Sequence, residues 1–299
     1  MIRAKFVVLG VLLAAAPALA QDAPPPPPPP TSGGSATAST GAAPTDWGQI
    51  DTRPLVLPTG KFEVHASLPI FATSFTDPTT MMTSTQTSEA LALGATYGIA
   101  DKAQVGLEYA FPLNPNGDPS NGFIGLHGAY AAMHSDKMDL AVSGEFLIGL
   151  GGNNDLGLQL GGWLRYHVAP KISIFTGQPP VPFALAGLGV AYLAAPTAYQ
   201  FAIGLNNNQA TTLSLPVGVG FQATPQIWAF AETQIAEFYL SNGPANSSGF
   251  FIFSDFIPLG IGGWYSASDK MDLGVVFADD LKNAGDLYTI TFAGRYYIK

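Results

Sequence analysis

Beyond residue 60, apolar residues alternate with small or polar ones over most of the chain. Phe62, Val64, Ala66, Leu68 and Ile70 share one parity, opposite Lys61, Glu63, His65, Ser67 and Pro69. Val105, Leu107, Tyr109, Phe111 and Leu113 alternate in the same way with Gln104, Gly106, Glu108, Ala110 and Pro112. Similar stretches run from Leu140 to Leu150, Leu156 to Val168, Leu213 to Phe221 and Tyr288 to Ile298. Alternation over about ten residues marks a strand whose two faces meet different surroundings. No long segment has a convincing helical period, so the chain reads as all-β.

Five short turns punctuate the strands: Asp101-Lys102, Asp136-Lys137, Pro170-Lys171, Pro225-Gln226 and Asp269-Lys270. Asp suits a tight turn by bonding its own backbone, and Pro by its fixed φ. Two turns carry one hexapeptide, Ser135-Asp136-Lys137-Met138-Asp139-Leu140 and Ser268-Asp269-Lys270-Met271-Asp272-Leu273. An aromatic precedes each turn at an even spacing: Tyr97, Tyr130, Tyr166, Phe221 and Tyr265. Even spacing puts all five on one face at similar depth. The other connections, such as Asn114–Asn121 and Ser241–Gly249, are longer and rich in Gly, Asn or Asp.

Short turns at one end, longer loops at the other and an aromatic band beside the turns describe a closed antiparallel up-and-down sheet. In this pattern the chain resembles bacterial outer-membrane β-barrel proteins of the porin-like type, with an apolar band between aromatic girdles. The resemblance implies a transmembrane β-barrel in the outer membrane of a Gram-negative bacterium. It also implies a linker and C-terminus on the periplasmic side, and contact with outer-membrane lipid and lipopolysaccharide. The ending Tyr296-Tyr297-Ile298-Lys299 resembles the aromatic-rich final strand read by outer-membrane assembly machinery, although Lys stands where the final aromatic is usual. Five hairpins with a first and a last strand predict about twelve strands. A sixth turn at Ala195-Pro196, within the hard-to-read stretch 178–210, would make about fourteen.

Composition agrees. Hydrophobic residues make up 47% of the 299-residue chain and charged ones only 11%, whereas a soluble surface needs about 25–35% charged residues. The net charge of −9 argues against a nucleic-acid partner, which demands clustered Lys and Arg. With no Cys, a disulfide scaffold, a thiolate metal site and a Cys nucleophile are excluded.

Arg3 and Lys5, the apolar run Phe6–Ala20 and small residues at Ala18 and Ala20 read as a signal peptide over 1–20. Residues 21–54 read as a disordered periplasmic linker, a proline tract (Pro24–Pro30) followed by Gly, Ser, Ala and Thr, which acts as a spacer or a partner-binding peptide. The barrel is expected over 55–299.

With the aliphatic face outward, Glu63, His65, Glu108, Glu145, Arg165, His167, Glu232 and Arg295 face the lumen. Glu108 and Glu232 stand equally far from their turns. Trp228 and Phe230 share the parity of Glu232, which leaves that strand's orientation the least secure. Carboxylates and basic groups facing across a narrow pore set size and charge preference, while many small lumen residues leave it open volume. The expected function is passive passage of small solutes. The rival reading is a non-conducting structural or adhesion barrel with the proline segment as tether. A barrel hydrolase is the weakest reading, because none of His65, His127, His134 and His167 stands in a motif with Ser and an acid. No cofactor is expected, and no metal site, since no two histidines lie at ligand spacing. Oligomeric state and cargo are not legible.

Overall fold

The computed structural model describes residues 48–76, 79–114, 122–150, 156–176, 201–204, 211–241, 258–280 and 287–298. The stretch read as a signal peptide, the proline tract and the expected turn at Ala195-Pro196 lie outside them. The strands are β1 (Phe62–Thr76), β2 (Thr83–Ala100), β3 (Ala103–Asn114), β4 (Phe123–His134), β5 (Met138–Gly149), β6 (Leu156–Ala169), β7 (Ile172–Thr176), β8 (Phe201–Gly204), β9 (Thr211–Gln222), β10 (Ile227–Ser241), β11 (Pro258–Ser268), β12 (Met271–Asp280) and β13 (Leu287–Ile298).

Each strand pairs antiparallel with its neighbours, and β1 pairs with β13 from Phe62↔Ile298 to Thr73↔Leu287, which closes the sheet. β7 and β8 occupy one position in the wall. Both pair with β6 on one side and β9 on the other, β7 toward the short turns and β8 farther along. The barrel therefore has twelve staves rather than fourteen. The chain leaves this stave at Thr176 and rejoins it at Phe201.

The two faces are chemically distinct. Leu93, Val105, Leu107, Leu126, Val142, Val219, Ile261 and Leu273 are exposed on the outside. Thr96, Gln104, Glu108, Asp139, Glu145, Arg165, Asp272 and Arg295, of opposite parity or on neighbouring strands, are buried within. Closure pairs the edges that an apolar solvent would leave unsatisfied. Among the described residues no helix is long and apolar enough to cross a membrane.

The wall does not enclose an empty tube. Residues 48–57, most of which the sequence assigns to a linker, lie in the short-turn mouth, and Ile50–Thr52 form one turn of 3₁₀-helix. Ile50, Asp51, Arg53, Val56 and Leu57 are buried there. After Gly48 a run with buriable side chains begins, Ile50-Asp51-Thr52-Arg53-Pro54-Leu55-Val56-Leu57. Val56 packs with Ala129, Ala141 and Trp163, Leu57 with Tyr297.

The outward face yields a depth-dependent test. Leu107 lies five residues past the Asp101-Lys102 turn, near mid-wall. Leu107→Arg is expected to cost about 2–4 kcal/mol by urea unfolding in lipid vesicles. Lys in place of the turn residue Asp101 is expected to cost about 0–1 kcal/mol.

Candidate functional site

The short-turn mouth is built from the internal repeat. In each copy the second Asp of the hexapeptide points inward and meets an Arg directly across the strand pair: Asp139↔Arg165 on β5–β6, and Asp272↔Arg295 on β12–β13. Arg165 donates to Asp139 Oδ2 from Nε at 3.2 Å and Nη2 at 2.8 Å, and Arg295 Nη2 lies 2.9 Å from Asp272 Oδ2. Both pairs are almost fully buried. A buried carboxylate and guanidinium tolerate this only when paired and further hydrogen-bonded.

Those further bonds go to the N-terminal segment. Arg165 donates to the carbonyls of Ile50 (3.3 Å) and Arg53. Arg53 in turn binds Asp272 and donates to Ser266 Oγ at 3.1 Å. Tyr297 OH and Ser266 Oγ donate to Asp272 at 3.1 and 2.8 Å. Asp51 accepts from Ser173 Oγ, lies 3.3 Å from His167 Nδ1, and donates its backbone N–H to Gln222 Oε1 at 3.0 Å. Gln104 Oε1 accepts from the Leu57 N–H at 2.7 Å. The segment is held on opposite walls by the two copies of one sequence repeat.

Inside, the lumen divides into two sides. One is aromatic: Phe175, Trp228, Phe230 and Trp264 gather with Val276 around Ile50, and the Trp228 and Phe230 rings stack at 4.9 Å. This settles the orientation of β10. Its large rings and Glu232 face inward together, so the lumen is not lined by small residues throughout. The other side carries the ionisable groups and borders a cavity of about 80 Å³ whose walls include Glu63, His65, Glu108, His127, Glu145 and Arg165.

All eight expected lumen residues are buried or half-buried on the inner side. The fold brings Glu63, His65, Glu108 and Glu145 together. His65 spans Glu63 Oε1 at 3.1 Å and Glu108 Oε1 at 3.2 Å. Arg165, His167 and Arg295 belong to the mouth instead. Glu232 stands apart from both groups, and its Oε1 has no hydrogen-bond partner.

Several functional residues escaped sequence reasoning. His127 faces inward, opposite in parity to exposed Leu126, with Nδ1 3.9 Å from Glu108 Oε1 and Nε2 3.1 Å from Thr96 Oγ1. Strand parity alone would have found it. Asp139 shares the parity of Glu145, opposite the aliphatic face, and Asp272 holds the same place in the repeated hexapeptide, but neither is among the expected lumen residues. Asp51 and Arg53 lie within the stretch 21–54 that the sequence assigns as a whole to a linker. Glu108, His127 and Glu145, from β3, β4 and β5, offer ligand atoms within 4.8 Å of one another. No linear ligand spacing marks them, because strand pairing creates the grouping.

Outside, Tyr97, Tyr130, Tyr166, Phe221 and Tyr265 are all exposed, and so is Tyr296 of the last strand. The first five stand four or six residues before their short turns, and Tyr296 pairs with Met271 beside the Asp269-Lys270 turn, below an aliphatic band. An apolar exterior with such a belt, around a closed wall with charges turned inward, is built for lipid. The chain is a closed twelve-strand antiparallel β-barrel with an outer face suited to lipid. No family model and no curated protein matches its sequence. Solved structures of similar form are an outer-membrane channel from Pseudomonas putida F1, at 12% identity and TM-score 0.48, covering 86% of this chain and all of the other; the NanC porin, at 6% and 0.49, covering 80% and all; and the KdgM porin in complex with disordered oligogalacturonate, at 7% and 0.48, covering 80% and 99%. At such values the likeness carries nothing about function, and the barrel's own surfaces make the assignment.

Removing one member of the mouth network strands its partners. Asp272→Ala leaves Arg53 and Arg295 without their shared carboxylate, for an expected loss of about 3–5 kcal/mol. Because the chain has no Cys, a single Cys introduced at Ile50 reports docking. It is expected to resist a maleimide in the otherwise unchanged protein and to react rapidly when combined with Asp272→Ala. Equal reactivity in both backgrounds would rule out the clamp.

Proposed function

We propose that the protein is an outer-membrane channel for passive passage of small, uncharged or mildly amphipathic solutes, with residues 48–57 restricting its periplasmic mouth. The observation that carries this reading is the cavity of about 80 Å³ beside the docked segment, bordered by Glu63, His65, Glu108, His127 and Glu145, which leaves the lumen short of a uniformly packed core. The polar side offers a solute hydrogen bonds, while the rings of Phe175, Trp228, Phe230 and Trp264 are buried against Ile50 and narrow the lumen. Few charges remain free to select ions: Arg165 and Arg295 are engaged by Asp139 and Asp272, and His65 by Glu63 and Glu108.

The short turns and both ends of the barrel chain face the periplasm in this reading, and the longer connections face the cell exterior among lipopolysaccharide. The proline tract then extends into the periplasm as a tether or a peptide for a partner there. A second reading, a non-conducting structural barrel, draws on the same docked segment together with the cluster of Phe175, Trp228, Phe230 and Trp264, which fill lumen volume.

Conductance in planar lipid bilayers tests the proposal. The refolded chain from residue 21 is expected to give small discrete steps, and Arg53→Ala combined with Asp51→Ala to give steps several-fold larger. Silence from folded, inserted protein of both kinds would defeat the channel reading and favour the structural barrel.

A further inference from the structure

We infer that Glu108, His127 and Glu145 form a lumenal binding site for a divalent first-row transition cation of the Zn²⁺ class. One imidazole nitrogen and two carboxylates within 4.8 Å of one another make a three-ligand N/O set with room for water or a fourth donor. The inference goes beyond channel function and does not depend on conduction.

The second, independent observation is an orphaned donor atom. Glu145 is 6% exposed, and its Oε1 has no hydrogen-bond partner. An unpaired carboxylate oxygen so deeply buried is costly, and a cation between it and Glu108 removes both the vacancy and the repulsion of the two acids. The neighbouring groups orient the ligands as an outer shell does. Thr96 Oγ1 holds His127 Nε2 at 3.1 Å, leaving Nδ1 turned toward Glu108. His65 Nε2 lies 3.2 Å from Glu108 Oε1 and is itself backed by Glu63.

Room for these side chains comes from glycine on the facing strands. A Cβ at Gly125 would overlap Glu145 Oε1, one at Gly106 would overlap His127 Nε2, and one at Gly94 would overlap the His65 ring. The pairing Gly94↔Glu108↔Gly125 lies beside Gly106↔His127↔Glu145, so each ionisable side chain leans over a neighbour without one. Bringing the donors to about 2.0–2.2 Å from one ion requires a contraction of about 1 Å, within the reach of long Glu side chains.

The other half of the barrel supplies the control. Glu232 is likewise flanked by two glycines, Gly218↔Glu232↔Gly260. Where β4 and β5 then place His127↔Glu145, β11 and β12 place Gly262↔Val276. A glycine-flanked carboxylate thus occurs twice, and the additional ligands occur once.

The test is equilibrium binding of Zn²⁺ to chelator-stripped, refolded full-length protein in detergent, with Co²⁺ as spectroscopic probe. One ion per chain is expected. Glu145→Gln and His127→Gln should each weaken binding at least tenfold, Thr96→Val by about tenfold, and Glu232→Gln not at all. Folding of every variant is read from its heat-modifiable gel mobility. Should the Glu145 or His127 variants fail to fold, the Co²⁺ spectrum of the unaltered protein decides. The intense visible bands of a four-coordinate ion support the site, and the faint spectrum of aqueous six-coordinate Co²⁺ overturns it. Absence of Zn²⁺ binding, or equal loss in Glu232→Gln, also overturns it.

Discussion

A wall with lipid on one side leaves its charges a single place to go. Backbone groups are satisfied by closing the sheet, and ionised side chains by facing inward, so the outer surface presents Leu, Val, Ile and a belt of Tyr while the lumen receives Asp, Glu, His and Arg. Twelve staves enclose limited space, and the crowding is met by pairing. Arg165 and Arg295 are matched across strands with Asp139 and Asp272, and the longer acids lie over glycines such as Gly125 and Gly260. The N-terminal segment exploits the same need, offering carbonyls and a guanidinium to groups that would otherwise be under-bonded at the mouth.

The barrel repeats itself at intervals of six staves. The Asp139–Arg165 pair on β5–β6 corresponds to Asp272–Arg295 on β12–β13, and glycine-flanked Glu108 on β3 to Glu232 on β10, because β7 and β8 together fill one position. The halves have diverged inside. One holds the polar cluster around Glu108, the other the rings of Trp228, Phe230 and Trp264. One repeated frame thus carries two unlike linings.

Much of the frame was legible in the sequence, since period-two alternation and even-spaced aromatics are local signals. Leu107 outward and Glu108 inward follow from parity alone, as does His127, although its parity went unread. What the sequence concealed depends on pairing between distant strands. Nothing linear connects Glu108 to Glu145, or Arg53 to Asp272. The segment 48–57 was hidden for a different reason: its eight sequential residues Ile50–Leu57 are too short to show a period, and they follow a stretch that cannot bury a core. The stave shared by β7 and β8 was obscured by the long excursion between Thr176 and Phe201.

Only Pro58 to Lys61 separate the docked segment from the first residue of β1. A stopper so closely tethered cannot diffuse away, and its local concentration at the mouth is fixed by that short connection rather than by how much protein the membrane contains. Undocking and redocking are therefore unimolecular events, with the same relaxation rate in a sparse membrane as in a crowded one.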